Sequence, residues 1–252
     1  HRQYKEEILK RKKVKEDEAE LYGISMAIMV GDMGPLFSNI IVEETNFPAD
    51  RKVKLLGKLS ETILNTIYGQ GMDVTYEQNE IPTEKEAMEI NKYKTAYYTI
   101  TGPLQYGALL AGVSEEDERY LALEKYGLPV GMAFQLKDDE LGMFSQTEKI
   151  GKPVFSDLRQ GKVTVLFAKA FENADNGQLK FLKGVYGNPN ESQEDLEKVR
   201  EIIVQTGALE YSRNLSLELI SEGTSHIDEI TSDEKYQDLL NLIAEFVSIR
   251  DK

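Results

Sequence analysis

Two adjacent aspartates, Asp138 and Asp139, lie in the run Gly131-Met-Ala-Phe-Gln-Leu-Lys-Asp-Asp-Glu-Leu-Gly-Met-Phe144, most of which has the composition of a core helix. A carboxylate taken out of water must be compensated by a cation or by hydrogen-bond donors. Any fold open to this chain must therefore bury the apolar part of the run and still bring compensation to the two acids. The next stretch, Gly151-Lys-Pro-Val-Phe-Ser-Asp-Leu-Arg-Gln-Gly-Lys162, carries Lys152, Arg159 and Lys162. An acid pair on a helix followed by a basic loop is what a Mg2+-bridged diphosphate needs. The metal takes hard oxygen ligands, and cations meet the phosphate charge it leaves over.

Leu, Ile, Ala, Glu and Lys recur with a period near 3.6 through most of the chain, and no alternating strand pattern bounded by hairpin turns is present. This predicts an all-α protein, and 252 residues suffice for a single helical domain over residues 1–252. Residues 1–20 are almost wholly polar and read as a solvated helix or arm. From Leu21 the composition is apolar on nearly all faces as far as Glu44, which predicts a buried central helix, kinked or broken at Gly34-Pro35. Asp32 within it suits a structural hydrogen bond and a functional role equally.

A helix over about 51–76 places Gln70 and Asp73 on one face, where an internal hydrogen bond is the simpler reading. Thr83 and Glu86 form a capping box for the next helix. Lys94 and Thr95 head a largely uncharged run to Gly112, kinked at Gly102-Pro103; Lys94 either snorkels to solvent or faces a polar site. Ser114 to Asp117 should cap a helix reaching Tyr126, Gly127 to Val130 should end it, and Pro129 suits the first turn of another. On that new helix Gln135, Asp138 and Asp139 share a face by their spacing. Ser192 should cap a helix ending near Gln205, and Thr231 with Glu234 a last one over 236–249.

Composition removes several classes of function. The net charge of −14 argues against a general nucleic-acid binder. The chain has no cysteine, so neither disulfides nor thiolate chemistry are open to it, which fits a cytoplasmic setting. No apolar run approaches the roughly 20 residues a bilayer span needs, so no transmembrane segment is expected. With His1 and His226 the only histidines, a multi-histidine zinc site and a Ser-His-Asp triad are both disfavoured. No glycine-rich phosphate loop of the Walker type occurs. In a Mg2+–diphosphate site of the kind the acid pair and basic loop suit, metal and lysines would stabilise a leaving diphosphate, and aromatic and methionine side chains in an apolar cavity would shelter the resulting cation.

The segment Phe134-Gln135-Leu-Lys-Asp138-Asp139, then Gly151-Lys152 and Ser156-Asp157-Leu-Arg-Gln-Gly-Lys162, resembles the second aspartate-rich region of the trans-isoprenyl diphosphate synthases (polyprenyl synthetases). Lys94-Thr95 resembles that family's Lys-Thr motif, and Gly69-Gln70 with Asp73 its Gly-Gln-x-x-Asp motif, in matching order. The likeness extends from about Leu21 to His226. It implies an isoprenoid-synthase-type helical bundle around a deep central cavity. It also implies a homodimer, with a heteromer as the alternative, that condenses isopentenyl diphosphate with an allylic isoprenyl diphosphate, with Mg2+ as cofactor. By resemblance Asp138 binds Mg2+ with Asp139 assisting, Lys94, Lys152 and Lys162 hold the allylic diphosphate, and Gln135 and Thr95 line the site near the reacting carbon.

Two departures stand out. The second region normally reads Asp-Asp-x-x-Asp, and here the third position is Gly142. That position shares a face with Asp138, so one carboxylate is lost, and Glu140 points elsewhere. The first aspartate-rich motif, its following Arg-Arg and the N-terminal residues for isopentenyl diphosphate are absent from these 252 residues. The expectation is therefore that the chain is the C-terminal two-thirds or more of a complete synthase fold, with little condensation activity alone. A non-catalytic or regulatory subunit of a hetero-oligomeric synthase, and an isoprenoid-binding protein, are the alternatives. Product length, which the family sets near its first motif, is not legible.

Overall fold

The computed structural model describes residues 1–12, 14–78, 81–145 and 155–250. The chain falls into two compact units, residues 1–57 and 58–252. All regular structure among the described residues is helical.

In the first unit, α1 (Arg2–Arg11) packs on α2 (Glu16–Glu44). Lys5 ties them through Glu16 and Glu20, each at 2.6 Å. Residues 1–20 thus include a solvated helix and the charged start of α2. Two expectations for α2 are corrected. It runs unbroken through Pro35, and only Ala19, Gly23 and Val42 are buried in it. Leu21, Ile28, Leu36, Phe37 and Ile41 are all more than half exposed. Asp32 is exposed too. The composition announced an apolar helix but could not say what would cover it. By length and composition α2 could also cross a membrane, with a mean hydropathy of 1.4 in its best window, contrary to the reading that no such run exists.

The boundary between the units falls within α3 (Ala49–Tyr76). The second unit continues with α4 (Glu84–Ile90), a π-helical segment over Asn91–Thr101, and α5 (Gly102–Ala111). It is completed by α6 (Glu118–Phe144), α7 (Ser156–Gln160), α8 (Val165–Asn173), α9 (Asn176–Val185), α10 (Gln193–Gln205), α11 (Ala208–Thr224), α12 (Ile227–Ile230) and α13 (Glu234–Ile249). The caps read from sequence at Thr83 and Ser192 are in place: Thr83–Glu86 and Ser192–Asp195 each form a reciprocal capping box, and so does Asp175–Gln178, which the sequence reading did not single out. At α13 the cap is Asp233, whose side chain accepts from the Lys235 N–H, rather than Thr231.

The main correction concerns α6. No helix ends at Gly127 to Val130; one helix of 27 residues passes through Pro129. Proline removes an N–H there, which normally breaks a helix. Here Tyr126, Gly127, Pro129 and Val130 are all buried, so tertiary packing outweighs the local cost. A Cβ at Gly131 would come within 2.6 Å of the Ala96 Cα, so the glycine lets α6 lie directly on the π-helical segment.

α6 threads two cores. Tyr126, Val130, Ala133 and Leu136 join Leu219, Leu240 and Val247 from α11 and α13. Seven residues beyond Leu136, Met143 joins a second cluster with Phe155, Leu158, Phe167, Leu182 and Ile203. Asp138 and Asp139 fall between the two. The helix is anchored by apolar burial at both ends, and its acidic turn is left to face the site.

Candidate active site

The π-helical segment accounts for the presentation of Lys94 and Thr95. A π-helix is rare and wider than an α-helix, and such segments cluster at functional sites. Thr95 is 3% exposed and its hydroxyl donates to Gln135 Oε1 at 2.7 Å. Gln135 Nε2 in turn donates to Asp139 Oδ1 at 2.8 Å. A two-step hydrogen-bonded chain therefore joins the Lys-Thr pair to the aspartate pair. Lys94 does not snorkel to solvent. Its ammonium pairs with Asp73 of α3, which is 5% exposed at the side chain. Gln70 Nε2 also donates to Asp73, at 3.3 Å, the internal bond the spacing suggested. Gly69 makes this approach possible, because any Cβ there would overlap the Lys94 backbone.

On the far side, Lys162 Nζ lies 3.2 Å from Asp157 Oδ1. Although burial alone would lower the Lys162 ammonium, Asp157, Asp73 and Asp139 together raise its pKa. Asp139 is only 6% exposed. Burial first, then repulsion from Asp157 and Asp138, push its carboxyl well above the usual range, against the Gln135 hydrogen bond that lowers it. Glu77 is raised by burial and by Asp73, with Lys162 and Lys94 opposing. Asp73, Glu77, Asp139, Asp157, Lys94 and Lys162 thus feel one another electrostatically across α3, α6, α7 and the π-helical segment.

Asp138 is turned differently. Its side chain is 43% exposed and pairs with Arg250, whose guanidinium also donates to the Phe134 carbonyl oxygen at 2.9 Å. Arg250 had no signal in the sequence. Glu140 indeed points elsewhere and pairs with Arg213 at 2.7 Å. Lys152 lies outside the described residues. His226 is paired with Glu229 at 2.7 Å, away from this site.

Among the described residues, no three acidic or imidazole side chains are already gathered as a metal cage. The donor set nonetheless suits Mg2+. It is oxygen only, and it crowds a buried carboxylate against two others, a repulsion that a divalent cation relieves. Among the described residues, the carboxylates Asp73, Glu77, Asp138, Asp139 and Asp157 also outnumber the cations Lys94, Lys162 and Arg250. That excess of negative charge favours a diphosphate arriving together with cations.

An all-α fold whose paired helical aspartates meet a Lys-Thr turn and a following lysine defines the isoprenyl diphosphate synthase class. The polyprenyl synthetase family profile matches residues 12–203, and the chain belongs to that family. A geranylgeranyl diphosphate synthase of Sulfolobus acidocaldarius is 29% identical over 234 residues, covering 92% of this chain and 70% of its own length. A short chain isoprenyl diphosphate synthase of Methanothermobacter thermautotrophicus is 32% identical over 232 residues, covering 92% of this chain and 69% of its own. The crystal structure of a geranylgeranyl pyrophosphate synthase from Corynebacterium glutamicum, complexed with isoprenyl diphosphate and magnesium, superposes with a TM-score of 0.91 at 29% identity. It covers 99% of this chain and 70% of its own. The protein is accordingly a prenyltransferase of isoprenoid biosynthesis, and these relatives favour neither a regulatory subunit nor a binding protein.

Proposed function

We propose that the protein condenses isopentenyl diphosphate with an allylic isoprenyl diphosphate, and that the second unit supplies the wall that ionises the allylic partner. The observation that carries this is the hydrogen-bonded chain from Thr95 through Gln135 to Asp139. It links the residue next to the diphosphate-binding Lys94 to a group that would hold metal, through the neutral dipoles of Thr95 and Gln135.

In this reading Lys94 and Lys162 exchange their carboxylate partners for phosphate oxygens and orient the leaving group. Asp138 and Asp139 would hold Mg2+, which when bound neutralises diphosphate charge as the carbon–oxygen bond breaks. The Thr95 hydroxyl and the Gln135 carbonyl present fixed dipoles beside the developing cation without the basicity to take its proton. Lys152 joins the diphosphate-binding lysines in this proposal.

The homodimer is taken from the family resemblance, and the exposed apolar face of α2 is a surface that a second copy would cover. A second copy would also cover α2 without a membrane, consistent with a cytoplasmic enzyme. Light scattering of the full-length protein without detergent should give twice the monomer mass.

The reading of the wall is tested by Asp138→Ala in the full-length protein. Mg2+-dependent allylic turnover should fall about 100-fold or more, since metal-borne charge stabilisation is worth several kcal/mol. Unchanged kinetics would overturn the role.

A further inference from the structure

The family's third carboxylate is missing from α6, where Gly142 stands one turn beyond Asp138. The space it would fill is not empty. A Cβ built on Gly142 would lie 2.9 Å from Asp157 Oδ2, so the Asp157 carboxylate rests directly against the bare α-carbon.

Several independent contacts hold it there. The Phe155 N–H donates to the Gly142 carbonyl oxygen at 3.3 Å, tying the start of α7 to the last turn of α6. Phe155 adopts φ 69°, the sole left-handed non-glycine residue among those described. Such a conformation is strained for a residue with a side chain and persists only where surrounding contacts enforce it. Arg200 of α10 supplies part of that enforcement: its Nε donates to the Met143 carbonyl oxygen at 2.5 Å, and its guanidinium stacks 4.3 Å from the Phe155 ring. The turn so fixed aims Asp157, 16% exposed, back at α6, with Lys162 on its other oxygen.

We infer that Asp157 supplies the third carboxylate of the metal-binding wall, in the place that Gly142 leaves open on α6. The assignment rests on the wall being the Mg2+–diphosphate site proposed above. It makes Gly142 an opening that Asp157 uses and not simply a loss. The helix gives up a side chain so that a carboxylate from the following turn can occupy its place, already paired with a diphosphate-binding lysine.

The test is Mn2+ binding to the full-length protein in the presence of inorganic pyrophosphate, read from loss of the free-ion EPR signal. Asp157→Ala should weaken Mn2+ binding about ten-fold or more, as loss of a supporting carboxylate does at metal sites. Moving the carboxylate back onto the helix, Gly142→Asp with Asp157→Ala, should recover most of it. Gly142→Asp alone should lower the melting temperature, because its carboxylate would be crowded against that of Asp157, whose Oδ2 lies 2.9 Å from the Cβ position.

Normal Mn2+ binding by Asp157→Ala, alongside its loss in Asp138→Ala, overturns this inference and leaves the wall standing. Normal binding by both variants overturns the wall itself. Loss in Asp157→Ala without recovery in the relocated variant, at equal melting temperatures, assigns Asp157 to holding Lys162 and also overturns the inference. Should the relocated variant melt early, the isosteric Asp157→Asn decides: it weakens Mn2+ binding or the inference falls.

Discussion

Arg250, the residue that ends α13, holds Asp138 of α6 through its guanidinium and stacks 3.7 Å from the Phe134 ring centroid one turn earlier. Its side chain is 8% exposed. The chain's own cation therefore occupies the carboxylate assigned to the metal, and the two must compete.

Arg250→Ala should therefore raise the affinity for Mn2+ in the absence of diphosphate, as read by titration calorimetry. It should also cost about 1–3 kcal/mol of stability, the range for a charge-assisted hydrogen bond, seen as a lower denaturant midpoint. Unchanged Mn2+ affinity would show that the pair opens freely.

Thr95→Val tests the chain of dipoles. The substitution keeps shape but leaves Gln135 Oε1 without its donor. An unsatisfied buried acceptor costs about 1–3 kcal/mol, so the melting temperature should drop. Turnover should fall more than substrate affinity, because the hydroxyl is assigned to the reacting carbon and not to the diphosphate. A change confined to KM would move Thr95 to substrate binding.

Lys94→Ala strands Asp73, whose side chain is 5% exposed. Breaking one side of a buried pair costs about 3 kcal/mol. Lys94→Ala with Asp73→Asn should recover most of that stability, since the amide needs no counter-charge. It should not recover allylic diphosphate affinity, which needs the ammonium. Recovery of both would leave Lys94 a purely structural residue.

Gly131→Val places a branched side chain where only 2.6 Å separates a Cβ from the Ala96 Cα. Overpacking of this kind costs about 1–3 kcal/mol. Because Thr95 is the next residue to Ala96, the shift should also lower turnover, whereas Gly107→Ala, inside α5 with open space around it, should leave turnover unchanged and raise stability by about 1 kcal/mol.

Much of the site was legible from spacing. Gln135, Asp138 and Asp139 share a face on any helix, and Lys94-Thr95 with Gln70 and Asp73 matched motifs in order. Capping boxes at Thr83 and Ser192 marked helix starts because their chemistry is local, completed within three residues. The same local logic misled at Pro129, where it ended a helix that runs on, and of the kink or break expected at Gly34-Pro35 the break is excluded. Proline's cost is local, but the packing that overrides it in α6 comes from residues far along the chain. Burial of α2 was also misread, because an apolar helix does not carry the identity of its cover.

The sequence by itself determined the helical class, the family and which residues make up the candidate site, since each depends on periodicity, composition and motif spacing. Only the tertiary structure decided that Arg250 would reach Asp138 across 112 positions, or that Asp157 would lie where Gly142 has no side chain. Those contacts depend on how helices cross and how one strained turn at Phe155 is held. Crossing geometry is set by the sum of many small packing terms and by no single stretch of the chain.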